Sequence, residues 1–139
     1  MSHTYVPPKR KTKVVFVQLG SPEAPTPKAL RKYLRNFLGD PRVIDIPAWK
    51  WKIILNCFVL PRRPARSAKL YERIWDGKSF PLITNTENFT NGVREELKKI
   101  DPEGYVEVNH AFLLSPPYVN EVYDSWEEDL KNNVGATKL

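Results

Sequence analysis

The sequence predicts an α/β fold, and three observations carry that prediction. Lys13–Leu19 (KVVFVQL) is a β-branched, aromatic-rich run, apolar at consecutive positions, as expected of a strand buried on both faces in a parallel sheet. Gly20-Ser21-Pro22 stops it and an amphipathic helical pattern follows, so the chain opens as strand, loop, helix. A second run, Tyr105–Leu114 (YVEVNHAFLL), precedes another helical pattern and a short strand-like end. The 139 residues suffice for one domain with a core. A composition of 41% hydrophobic and 27% charged residues is that of a globular chain.

The elements follow in order. Met1–Thr12 is basic, carries Pro7-Pro8, and reads as a flexible tail. Thr26 is a helix cap with Pro27 at the first helical position. Leu30, Tyr33, Leu34, Phe37 and Leu38 then form one apolar face, ended near Gly39-Asp40-Pro41. Val43–Ile46 is either a short strand or an extended link. From Pro47 to Leu60 a helix would carry apolar residues on nearly all sides: Trp49, Trp51, Ile53, Ile54, Leu55, Phe58, Val59 and Leu60. Such a helix is either fully buried or faces something other than water. Lys50 and Lys52 beside two tryptophans suit an interfacial segment; a core helix is the alternative.

Arg62-Arg63-Pro64 ends that segment, and Ser67 caps a helix with Leu70, Tyr71, Ile74 and Trp75 as its apolar positions. After a turn at Asp76–Pro81, Thr84 and Glu87 form a capping box. Phe89, Val93, Leu97 and Ile100 give the next helix one apolar stripe, broken at Pro102-Glu103-Gly104. Pro116-Pro117 stops the second strand, and Val119, Val122, Tyr123, Trp126 and Leu130 mark the last helix. Asn132–Gly135 reads as a turn and Ala136–Leu139 as the start of another strand. A βαβ unit left at that point either pairs with another chain or is the front part of a longer one.

Charge and composition narrow the function. Residues 1–75 hold 16 Lys and Arg against 4 Asp and Glu, whereas residues 76–139 hold 6 against 12. A front half at +12 suits an anionic partner: nucleic acid, phosphate, carboxylate or acidic membrane; a solvated basic surface is the alternative. One cysteine, Cys57, excludes a disulfide framework and a cysteine-based metal site within one chain. With only His3 and His110 besides, a single-chain zinc enzyme is disfavoured. The longest nearly uncharged apolar run, Ile53–Pro61, is about half the roughly 20 residues of a membrane span. The N-terminus has no signal-peptide core.

The run VVFVQLGSPEAPTPKALRKYLRNFLGDPRVIDIP, continued by LPRRPARSAKLYERIW and SFPL, resembles the N-terminal part of ferrochelatases. The resemblance is ordered and nearly gapless over residues 13–82 and looser to Leu139. It implies a class II chelatase-like, two-domain protein of three-layer, doubly wound parallel sheets, with a porphyrin cleft between the halves. Residues 13–139 would be one incomplete domain of it. The activity implied is insertion of ferrous iron into a porphyrin in haem biosynthesis, both being substrates, with no permanently bound cofactor. Pro47–Leu60 (residues 47–60) would be a movable lip over the cleft that also rests on a membrane surface, in a cytoplasmic protein.

Carried over residue by residue, the resemblance places Gln18 as an amide or metal-side residue and Leu19 against the porphyrin face. It places Arg63, with Arg62 beside it, on the propionates, and Tyr71 and Ser79 at the substrate's polar edge. The ordinary alternatives are a surface arginine pair, a core tyrosine and a turn hydroxyl. Gly20 with Pro22 lets backbone approach a ligand closely or simply makes a turn. Gln18 stands where bacterial members usually have asparagine, Gly77–Leu82 is one residue longer than the family's turn, and Leu113-Leu114 replaces an arginine–tyrosine pair. The family's catalytic histidine and glutamate fall beyond Leu139.

Metal insertion needs a base for two pyrrole protons and a site delivering a desolvated metal, tasks suited to histidine and glutamate. His110 is the one candidate in ordered-looking sequence, and a hydrogen-bonded core histidine is its alternative. The resulting expectation is a chain that supplies the porphyrin-binding N-terminal half and lacks the catalytic half. Its partners would be a porphyrin, a complementary C-terminal half or a second copy, and a membrane surface. The alternatives are a non-catalytic porphyrin- or haem-binding module, a homodimeric half-size chelatase, and an α/β domain binding nucleic acid. The last is weakest, because no nucleic-acid motif accompanies the basic residues.

Overall fold

The computed structural model describes residues 11–135. β1 (Thr12–Gln18) and β2 (Val106–Phe112) pair in parallel, from Thr12 opposite Val106 to Gln18 opposite Phe112. Both strands lie where the β-branched runs predict them. Residues of opposite parity on β1 point to opposite faces of the sheet. Phe16 meets Phe89 of α4 (Pro81–Ile100), edge to face at 4.9 Å. Lys13 reaches α5 (Val119–Gly135), 2.9 Å from Asp129 and over the Trp126 ring. A parallel ladder with helices on both faces is an α/β arrangement, and among the described residues it has two strands. β1 is less buried than its sequence suggests, with Val17 45% exposed.

Contacts divide the chain into two compact units, β1 with the residues from Asn85 onward, and Leu19–Thr84. The second contains α1 (Pro27–Gly39), α2 (Ala48–Ile54) and α3 (Leu60–Glu72). Thr26 caps α1 as expected, its hydroxyl accepting from the Ala29 N–H at 3.2 Å. Leu30, Tyr33, Leu34 and Leu38 are buried, and α1 packs on α3. Val43–Ile46 is a link rather than a strand: Asp40 accepts from the Arg42 and Val43 N–H groups and turns the chain there.

The largest correction concerns Ala48–Glu72. Arg62-Arg63-Pro64 does not end the apolar segment and Ser67 caps nothing, because α2 continues through a π-helical turn, Leu55–Val59, directly into α3. The physical reason is Pro61. A proline ring clashes with the carbonyl four residues back, here that of Cys57, and the widened turn lies at that carbonyl. The extra residue also resets the helix phase. Half-buried Trp51 and buried Leu55, Leu60, Pro64 and Ala68 follow steps of four, five, four and four, keeping one inward face across the interruption. Trp51 donates to the Leu38 carbonyl at 2.6 Å, tying α2 to the end of α1. The segment is therefore not a core helix: it has one buried side, and an exposed side that carries Trp49, Ile53 and Phe58.

Three further expectations change. α4 begins at Pro81 rather than at a Thr84–Glu87 box: the carbonyl of buried Phe80 accepts from Ile83 and Thr84, and a proline suits the first turn. Its fully buried positions are Thr86 and Thr90, whereas Phe89 and Ile100 of the predicted stripe are exposed. Thr90 buries readily because its hydroxyl donates to the Thr86 carbonyl at 2.8 Å. Asn132–Gly135 continues α5 instead of turning, since asparagine costs a helix only about 0.7 kcal/mol. Most of the expected N-terminal tail and the Ala136–Leu139 strand lie outside the described residues.

Candidate functional site

Two residues along an α-helix amount to about 200° of rotation, so residues offset by two from the inward face point outward. Trp49, Ile53, Phe58, Arg62, Arg66 and Leu70 take the same steps, four, five, four, four and four, and all are exposed. The π turn thus aligns an outward stripe that is apolar at its α2 end and cationic on α3. An open groove of about 520 Å³ lies along it, lined by Phe58, Val59, Arg62, Arg63, Arg66, Ser67 and Leu70.

Three guanidinium groups within five residues need carboxylates or water around them. Among the described residues no ion pair involves Arg62, Arg63 or Arg66. Their donor forks therefore stand open beside an aliphatic and aromatic floor. Guanidinium donors hold carboxylates or phosphates bidentately, and here they stand beside apolar side chains.

The structure brings Arg62 and Arg63 together in this groove. Arg66 is a lining residue with no expected role, whereas Phe58 belongs to the predicted lip and Leu70 to the predicted apolar positions of its helix. Spacing of four from Arg62 was the available signal for Arg66, hidden by ending the helix at Pro64. Tyr71 and Ser79 cluster instead around Phe80. Tyr71, half-buried, meets that ring edge-on at 5.4 Å, with Trp75 at 4.6 Å. The Ser79 hydroxyl lies 3.4 Å from the Phe80 carbonyl, and its N–H joins that of Lys78 on the Asp76 carboxylate. Those backbone bonds, Ser79's foremost, hold Asp76 below its ordinary carboxylate range.

Leu19 is exposed and begins the same unit. Gly20 beside it has φ +95°, a left-handed turn that glycine adopts without strain. Its carbonyl accepts from the Tyr33 hydroxyl at 3.3 Å. Burial pushes Tyr33 up to about 12. Gln18 ends β1 in the sheet unit, exposed, its carbonyl accepting from Leu113. His110 lies in β2, half-buried 5.6 Å from Phe112, and its buried Nδ1 has no hydrogen-bond partner among the described residues. No group of three or more His, Cys, Asp or Glu among the described residues is placed to hold a metal ion. No helix among them is long and apolar enough to cross a membrane.

The ferrochelatase family model matches residues 11–136. The ferrochelatase of Thioalkalivibrio sulfidiphilus is 45% identical over 106 residues, covering 76% of this chain and 28% of that protein. The ferrochelatase of Nitrosomonas europaea is 41% identical over 111 residues, 80% of this chain and 30% of that protein. Over a shorter stretch of 76 residues the Psychrobacter arcticus ferrochelatase reaches 57% identity, covering 53% of this chain and 22% of that protein. The chain spans about three-tenths of the length of the first two. With all of its described residues inside the family match, the chain belongs to the ferrochelatase family.

Proposed function

We propose that this chain supplies the porphyrin-binding N-terminal portion of a ferrochelatase-type site, and that the iron-inserting groups come from outside residues 1–139. The observation that supports it is the arginine groove. Arg62, Arg63 and Arg66 would hold the propionates while Phe58, Val59 and Leu70 lie against the apolar body. Gln18, Leu19, Tyr71 and Ser79 are proposed as further contacts to the substrate. Propionate binding orients the macrocycle but removes no pyrrole proton, and guanidinium groups, always protonated, cannot act as the base. Ferrous iron and porphyrin are the substrates in this reading, and no resident cofactor is involved.

The apolar end of the outward stripe has a second part in the proposal. Trp49 is 66% and Phe58 60% exposed, with Lys50 and Lys52 alongside, a combination suited to resting on a bilayer surface in a cytoplasmic protein.

A porphyrin titration of the purified chain, followed by Soret absorbance and tryptophan quenching, tests the main claim. Saturable binding is expected, with no metalation on adding ferrous iron until the remaining part of a ferrochelatase is supplied. Absence of binding would remove the groove from the substrate site. Metalation by the chain alone would instead favour the half-size homodimeric enzyme with His110 as base. Persistent binding with no metalation after complementation would favour a porphyrin- or haem-binding module. Vesicles added in a parallel titration should shift the tryptophan emission; an unmoved spectrum would count against the membrane-touching lip.

A further inference from the structure

The unit Leu19–Thr84 holds most of the residues proposed to touch porphyrin, and one buried polar group in it has no part in that contact. Tyr33 lies on the inward face of α1, 7% exposed, next to buried Leu34 and one turn from buried Leu30. Packing alone would be served as well by phenylalanine, because a hydroxyl taken out of water costs free energy unless it is bonded. The Tyr33 hydroxyl is bonded. It donates to the Gly20 carbonyl at 3.3 Å, across 13 residues of sequence.

That carbonyl belongs to the turn directly after Leu19. Gly20 takes φ +95°, and Gly20, Ser21 and Pro22 are all buried, whereas Leu19 is exposed. The side chain before the turn is thus presented outward while the turn itself is held from α1. Glycine has the widest choice of backbone states, so a turn built on it keeps one geometry only where bonds to its surroundings select it. The same hydroxyl stands close enough to Tyr71 of α3 for the two phenols to interact electrostatically. Tyr33 therefore meets both the turn after Leu19 and the helix that carries Arg62, Arg63 and Tyr71.

We infer that Tyr33 is a positioning residue for the porphyrin site, its hydroxyl fixing the turn that presents Leu19 relative to α3. This rests on the proposed function, in which Leu19 lies against the porphyrin and Arg63 and Tyr71 meet its polar edge. A porphyrin macrocycle is stiff, so contacts to its face and to its edge must stand at a set separation. A turn sampling other positions would have to be ordered as the ligand binds, and that ordering would be subtracted from affinity. Tyr33 touches no ligand itself. It acts through Leu19.

Tyr33→Phe keeps the ring and deletes the bond, and the test is a Soret titration of the full chain with protoporphyrin. Affinity should fall about three- to tenfold, the equivalent of one net hydrogen bond. Leu34→Val trims the same buried face without touching the turn and should leave affinity unchanged, whatever it costs in stability. The readout that a merely structural tyrosine would not move is a double-mutant cycle. Once Leu19→Ala has removed the side chain being positioned, adding Tyr33→Phe should weaken binding by less than about twofold further. Fully additive losses overturn the inference, as does a Tyr33→Phe variant that binds like the parent. So does a Gly20 carbonyl carbon resonance that the substitution leaves unmoved, a measurement made without ligand. A parent chain that binds no porphyrin overturns the proposed function and the positioning role together. A binding parent with an indifferent Tyr33→Phe overturns the positioning role alone, so the two failures are distinguishable.

Discussion

Arg63 and Arg66 stand one helical turn apart on α3, exposed and without ion-pair partners among the described residues. If they hold propionates, each contributes a hydrogen bond to a charged group. Replacing Arg63 by alanine should then weaken porphyrin affinity by roughly 1.5–3 kcal/mol, read in a Soret titration. Arg66→Ala should cost a similar amount. Glu103→Gln, in the turn before β2, should leave affinity unchanged. Equal affinity for all three variants would remove the arginines from the site. At this scale the Thr26 cap was legible in the sequence, because capping is carried by residue type; so were Arg62 and Arg63 as exposed cations. The edge-on packing of Tyr71 on Phe80 was not, because that ring lies outside the tyrosine's own helix.

The helix Ala48–Glu72 shows where element-scale reading stops. Apolar residues all around a regular 3.6-residue helix suggest no preferred face, yet the chain has one, because a single π turn inserts one residue into the phase. No fixed-period template detects that step, and the two prolines after it resemble terminators. This makes a direct prediction. Deleting Cys57 together with Pro61→Ala should convert the π turn to ordinary helix and leave Leu60, Pro64 and Ala68 facing inward. Its thermal midpoint should stay close to that of the parent. Deleting Ala65 instead brings Lys69 to the buried place of Ala68, and should cost roughly 3–5 kcal/mol, the range for an uncompensated buried charge. Circular dichroism melts of both variants test it. Equal losses would mean that the widened turn does not set the inward face.

For the whole molecule, the groups that titrate abnormally predict how stability varies with pH. On the acid side, Asp40 is held down to about 2 by the Arg42 side chain, and Asp76 and Glu95 are lowered by Ser79 and Lys98 respectively. Folded values below the unfolded ones mean stabilisation that is present above about pH 4 and lost as pH falls toward 2. These carboxylates are at the surface, so salt should weaken the effect. On the alkaline side Tyr33 dominates, because burial, with the neighbouring Tyr71 adding to it, pushes its hydroxyl up to about 12; that hydroxyl also donates to the Gly20 carbonyl. An unfolded tyrosine ionises near about 10, so this contribution is complete below that value and disappears as pH rises through 12. Urea midpoints measured across the range should show a plateau with a fall at each end. Tyr33→Phe should lower the plateau by about 0.5–1.5 kcal/mol, the net worth of one hydrogen bond, while flattening the alkaline fall. An alkaline arm that stays equally steep in the variant would show that another group, not the Tyr33–Gly20 contact, governs the loss.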